Sequence, residues 1–255
     1  MSAMTQTVLL AIDTSTEYCS VALLRSAPAD AAASSPQTWF RHEMTSAVSS
    51  TRVLPAIQEL FAESGLTLAD CDAIAFGAGP GSFTGLRTAT GVAQGLAFGR
   101  GLPVVPIGTL LACAEHARLR APGTTRVLAA LDARMDEAYW ADFAWDEEAR
   151  DWRTLHPAAL DAPAAVGVPD APFTLAGNAA AAFGAQLPAA ARATTIDGEA
   201  LPHALAVAHA ALRAFRAGRV VPADQAAPEY VRDKVAQTTA ERIAARAART
   251  DGAQG

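Results

Sequence analysis

Val8-Leu-Leu-Ala-Ile12 is an unbroken apolar run, the pattern of a strand covered on both faces. A polar turn, Asp13-Thr-Ser-Thr-Glu17, separates it from a second strand over Cys19–Leu24, and Thr38–His42 predicts a third. From Ser46 to Glu63 the period changes to that of a helix. Val53, Ile57, Leu60 and Phe61 share one face, Gly65 marks the stop, and Pro55 predicts a kink or break. Cys71–Phe76 reads as a strand, Gly85–Phe98 as a small-residue helix, Val104–Ile107 as a strand and Leu110–Leu119 as a helix.

A second unit starts near Arg126, with strands over Val127–Asp132, Glu137–Trp145 and Trp152–Leu155. Phe173–Gly177 predicts a further strand that feeds a short alanine-rich helix after Asn178. Pro202–Ala217 is a helix with proline near its start and Gly218 just beyond its end, and Pro228–Asp233 is an extended connector. Pro28–Gln37 reads as a flexible loop, 236–249 as a polar or fraying helix, and 251–255 as disordered. Strands and helices alternating in two units predict an α/β protein of two lobes with a cleft between them.

Between the strand ending at Phe76 and the helix from Gly85 lies Gly77-Ala-Gly-Pro-Gly-Ser-Phe-Thr-Gly85, with four glycines and a proline in nine residues. So many glycines specify one backbone path into the helix. The unpaired N–H groups at a helix start can hold an anion, and a purely structural turn has the same composition. A Walker loop is excluded, because the one lysine of the chain is Lys234. The dinucleotide fingerprint G-x-G-x-x-G fails too, since Ser82 and Thr84 stand where glycine is needed. At the first hairpin, Asp13, Ser15 and Thr16 are phosphate-contact candidates, although such residues also form ordinary turns. The anion reading adds Gly79, Gly81, Ser82, Thr84 and Gly85 to them.

Composition narrows the classes further. With 51 % hydrophobic residues and a net charge of −6, the chain has globular composition and lacks the basic footprint of an independent nucleic-acid binder. Cys19, Cys71 and Cys113 have no metal-ligand spacing and read as reduced, buried thiols, which suits a cytoplasmic protein. No secretory signal or membrane span of ~18 apolar residues is expected. The five histidines form no metal motif, and Glu115-His116 reads as a solvent-facing helix pair. Asp132 and Arg134 pair in a charged turn, and Arg242, Arg246 and Arg249 share a helix face. Gly91, Gly95 and Gly99 recur every four residues beside Ala89, Ala93 and Ala97. Each glycine costs ~1 kcal/mol against alanine, so the row makes sense where another helix approaches closely, in this chain or a partner.

Taken together, Ala11-Ile-Asp-Thr-Ser-Thr16, Gly79-Pro-Gly-Ser-Phe-Thr-Gly-Leu-Arg87, Leu131-Asp-Ala-Arg134 and Pro228-Glu-Tyr-Val-Arg232 resemble the bacterial TsaB family, also called YeaZ, from about Val8 to Asp233. The resemblance implies the actin-like ATPase (ASKHA, ribonuclease H-like) fold, with lobes at 1–108 and 109–233, the helix at 202–217 packing back on the first lobe, and a polar tail, partly disordered, at 234–255. It implies a non-catalytic subunit of the complex that adds threonylcarbamoyl to the adenosine beside the anticodon of tRNAs reading codons that begin with A. Its partners would be a catalytic TsaD-type paralogue and a TsaE-type ATPase, with tRNA met only through the complex. ATP or ADP would sit at the TsaD junction, and the isolated chain could pair with a second copy.

The residues fit a non-catalytic role. Gly108 and Thr109 stand where TsaD-like proteins carry metal-binding histidines, and Ser15 replaces the glycine of the D-x-G hairpin of actin-fold kinases. No catalytic residue, metal or resident cofactor is expected. Relatives often carry a His-Ser pair before the Leu-Leu-Pro of the first helix, and Ser49-Ser-Thr-Arg-Val-Leu-Pro55 has no histidine. Candidate partner contacts are Leu86, Arg87, Gly91 and Gly95, with Arg52 on the first helix. The alternative is a stand-alone actin-fold kinase of a small molecule, using Asp13, Ser15, Thr16 and the 79–85 loop on ATP.

Overall fold

The computed structural model describes residues 6–27 and 35–232. The expected polar helix at 236–249, its arginines, the terminal tail and most of the 28–37 loop lie outside the described residues. Strands β1 (Val8–Asp13), β2 (Tyr18–Arg25), β3 (Gln37–Met44), β4 (Ala73–Gly79) and β5 (Val104–Gly108) form one sheet in the order β3-β2-β1-β4-β5. β1 pairs antiparallel with β2 and parallel with β4, so Ile12 lies opposite Val21 on one side and Phe76 on the other.

The second sheet consists of β6 (Arg126–Asp132), β7 (Ala138–Asp146), β8 (Asp151–Asp161), β9 (Thr174–Ala176) and β10 (Thr195–Asp197). Its order, β8-β7-β6-β9-β10, repeats the first, with the same antiparallel and parallel pairings. One topology thus occurs twice.

Helices α1 (Ser49–Ser64) and α2 (Phe83–Arg100) cover one face of the first sheet, and α6 (Ala204–Arg216) covers the other. β1 explains why its run is wholly apolar. Val8, Leu10 and Ile12 point to α1 and α2, while Leu9 and Ala11 point to α6. Burying each of these valine, leucine and isoleucine side chains contributes about 1.5–3 kcal/mol. α3 (Thr109–Arg120) lies against α6 and turns Leu110, Cys113, Ala114 and Ala117 onto the second sheet. The far face of that sheet packs with α4 (Ala179–Phe183) and α5 (Pro188–Arg192). The layers therefore run helix, sheet, helix, sheet, helix.

Three differences from the sequence reading have physical causes. α1 runs unbroken through Pro55, which lies on its exposed face where solvent can satisfy the freed carbonyl. Gly65 ends it in the left-handed conformation, φ 68°, as its position predicts. β8 extends to Asp161, well beyond Leu155, held by pairing with β7 across mixed residues that carry no clear alternation. α5 and β10 are too short for any periodicity to reveal.

Candidate functional site: the cleft between the two hairpins

A cleft of about 670 Å³ opens where the β1–β2 turn faces the β6–β7 turn. The first lobe lines it with Thr14–Glu17, Ser49, Ser50 and the Pro80–Leu86 loop, and the second with Leu131–Met135, Tyr139 and Asn178. Glu229–Arg232 of the C-terminal connector complete the wall. Ser15, Thr16, Gly81, Ser82, Thr84 and Gly85 all line this cleft, while Asp13 and Gly79 do not.

Asp13 is turned inward. Its carboxylate is 1 % exposed, and Oδ1 accepts from the Ser15 N–H at 3.0 Å and the Ser15 hydroxyl at 2.8 Å. Oδ2 has no partner and lies where a side chain on Gly77 would fall. Burial pushes the Asp13 carboxyl up to about 6, and the hydrogen bonds from Ser15 hold it from going higher.

The glycines of the loop are spent on close packing within the chain. A Cβ on Gly85 would collide with the Thr14 carbonyl, and one on Gly81 with the Ser15 carbonyl. Thr14 Oγ1 donates to the Gly85 carbonyl at 2.6 Å, and the Ser82 N–H donates to the Ser15 carbonyl at 2.7 Å. Gly79, with φ 130°, presses on the Glu229 carbonyl, while the Glu229 N–H donates to Ala78 O at 2.7 Å. Ser82 caps α2, its Oγ accepting from the Gly85 N–H. The loop is thereby welded to the first hairpin and to the connector.

On the opposite wall Arg134, Met135 and Asp136 hold positive φ values of 63°, 60° and 58° in succession, a strained turn of three left-handed residues. Asp132 stabilises it, its Oδ1 accepting from the Arg134 N–H at 2.7 Å and its Oδ2 pairing with the Arg134 guanidinium at 3.2 Å. Among the described residues no group of three or more His, Cys, Asp or Glu is placed to hold a metal ion.

The candidate partner residues fall into two groups. Gly91, Gly95 and Gly99 face outward, with nothing within 4 Å of an added Cβ, while Ala89, Ala93 and Ala97 are fully buried against the sheet. Arg87 is also exposed. Leu86, by contrast, is 1 % exposed, because its side chain packs inward toward Gly79, so it offers no surface to a partner. Arg52 is already engaged within the chain, in bidentate contact with Glu43 and Glu59, which pins α1 to β3.

Two polar clusters escaped the sequence reading. Glu115 is buried and His116 half-buried, so the pair does not simply face solvent. Glu115 is 3 % exposed and receives two bonds from the Arg213 guanidinium, at 2.9 and 2.7 Å, and one from Trp152 Nε1 at 2.7 Å. His116 lies 4.9 Å from His203, which stacks on His42 at 4.4 Å, and His42 stacks on Tyr18 at 4.3 Å. Burial pushes His42 down to about 4 and His203 to about 3. The partners in both clusters are far apart in sequence, so no motif announces them.

A ribonuclease H-like topology repeated in two lobes, with paired hairpins facing across a cleft, defines the actin-like class of proteins. The family model described as TsaD, tRNA N6-adenosine threonylcarbamoyltransferase, matches residues 42–250. The structure of YeaZ from Pseudomonas aeruginosa superposes with a TM-score of 0.78 at 38 % identity, covering 88 % of this chain and 99 % of that one. The chain is 46 % identical over 139 residues to the tRNA threonylcarbamoyladenosine biosynthesis protein TsaB of Escherichia coli, covering 54 % of this chain and 56 % of that protein. To TsaB of Haemophilus influenzae it is 48 % identical over 133 residues, 52 % of each chain. These matches span about half the length of the two curated relatives. The chain belongs to the TsaB (YeaZ) family, within the wider TsaD group.

Proposed function

We propose that this chain is a non-catalytic subunit of the complex that adds threonylcarbamoyl to the adenosine beside the anticodon of tRNAs reading codons that begin with A. It supports a TsaD-type catalytic subunit, with a TsaE-type ATPase joining the assembly, and works in the cytoplasm. The outward row Gly91-Gly95-Gly99 of α2 carries the reading, for it leaves a helix surface on which a second helix can lie backbone to backbone. Gly91, Gly95 and Arg87 form the centre of that contact. The shared fold of the paralogues lets the same face pair two copies when the chain is alone.

The interior position of Asp13 and the welded glycine loop both speak against turnover of a nucleotide in this chain's own cleft. ATP or ADP, where the assembly holds it, lies at the junction with the TsaD-type subunit. No helix among the described residues is long and apolar enough to cross a membrane.

Reconstitution with purified TsaD- and TsaE-type proteins tests the reading. Modification of tRNA should require this chain, and full modification in its absence overturns the proposal. Calorimetry of the isolated chain with Mg-ATP should show no sub-micromolar binding, which the kinase alternative requires.

A further inference from the structure

Two lobes joined across a cleft are expected to move relative to one another unless their interface is large and apolar, and in many enzymes such closure accompanies ligand binding. Here the lobes are bound together in two separate places. We propose that the Glu229–Arg232 strap on the cleft and the Glu115–Arg213–Asp151 cluster outside it lock the two lobes at one angle, so that the cleft neither opens nor closes.

The strap crosses from lobe to lobe within four residues. At its start the Glu229 N–H donates to Ala78 on β4. Tyr230 follows, its ring 5.5 Å from that of Phe83 and its hydroxyl accepting from Arg87 Nε at 3.1 Å. The Arg87 guanidinium itself lies over Phe83 at 4.0 Å. Val231 then packs against the apolar cluster of the second lobe. Arg232 finishes the crossing, pairing with Glu137 at 2.5 Å and donating to the Arg134 carbonyl at 3.4 Å.

The second tie joins the same lobes through different elements. α6 is seated on the first sheet, yet its Arg213 reaches Glu115 of α3 and Asp151 at the start of β8, the latter at 3.0 Å. Arg219, just past α6, also pairs with Asp151, at 2.5 Å. None of these cluster residues lines the cleft, so the two ties are independent. A hinge requires a side free to open, and this molecule is held at both the strap and the cluster.

Spin labels on Ala69→Cys in the first lobe and Thr154→Cys in the second measure the angle directly, because both positions are exposed and Cys19, Cys71 and Cys113 are buried. In the full chain, pulsed electron resonance should give one narrow distance distribution, unchanged by Mg-ATP. The distribution should broaden when Tyr230→Ala and Arg232→Ala are combined. A broad or split distribution in the otherwise unaltered chain, or a shift on adding Mg-ATP, overturns the proposal without reliance on any strap variant. A strap variant that keeps its circular dichroism and its narrow distribution removes the strap from the lock.

Discussion

The Thr14 hydroxyl donates to the carbonyl of Gly85 at 2.6 Å, and a side chain on Gly85 would overlap the Thr14 carbonyl. The first hairpin and the loop into α2 are therefore one packed unit, closed at the distance that only glycine permits. Gly85→Ala should destabilise the fold by about 1–3 kcal/mol, the usual cost of forcing extra volume into a packed interior. Urea unfolding checks this, and a variant as stable as the parent would mean the hairpin can yield.

Gly95→Ala should act in the opposite direction on the isolated chain. The position is helical, outward and open, so removing glycine should raise stability by about 0.8–1 kcal/mol. Gly95→Leu should fold equally well and lose association with a TsaD-type partner in size-exclusion chromatography. Normal association by a folded Gly95→Leu would move the contact away from this face.

Arg213, itself partly exposed, makes a bidentate pair with the buried Glu115. Arg213→Met should cost about 3–5 kcal/mol, because the Glu115 carboxylate stays buried with only Trp152 as donor. Adding Glu115→Met should recover part of that loss, since it removes the stranded charge. Denaturant titration of the two variants and the double variant measures the coupling, and simple additivity would contradict a direct interaction.

The stacked histidines make stability depend on acid. His42 and His203 are held below their ordinary 6.5, at about 4 and about 3, chiefly by burial, with His116 acting on both and His42 on His203, and His116 is itself lowered. The unfolded chain therefore binds more protons than the native one below pH 6.5, and stability falls as pH drops from there toward 4 and 3. Asp13 works the other way. Its raised value of about 6 means that the native state takes up a proton first, which adds stability as pH falls from 6 toward 3.8. Burial also lowers His209 and raises Asp142, so four histidines stand against two carboxyls and the net acid limb should slope downward. His203→Asn retains a residue able to cap α6 and should make that limb shallower in thermal melts across pH 4–7.

What the sequence determined by itself were the features that local physics dictates. The unbroken apolar run of β1, the helical face of α1, the stop at Gly65 and the α/β order follow from period and turn chemistry, and the four motifs sufficed to resemble one family. Tertiary structure decided what those residues touch. The loop glycines read equally well as a phosphate cradle or a turn, and only the hairpin packed against them shows that their missing side chains make room for Thr14 and Ser15. Ala89 and Gly91 are two residues apart on one helix, yet one is fully buried against the sheet and the other open, because α2 settles with its alanine row inward. Leu86, Glu115 and His116 were misjudged for the same reason. A residue's burial is set by which distant elements the topology lays over it, and in this chain strands and helices from both halves meet across the α3–α6 layer.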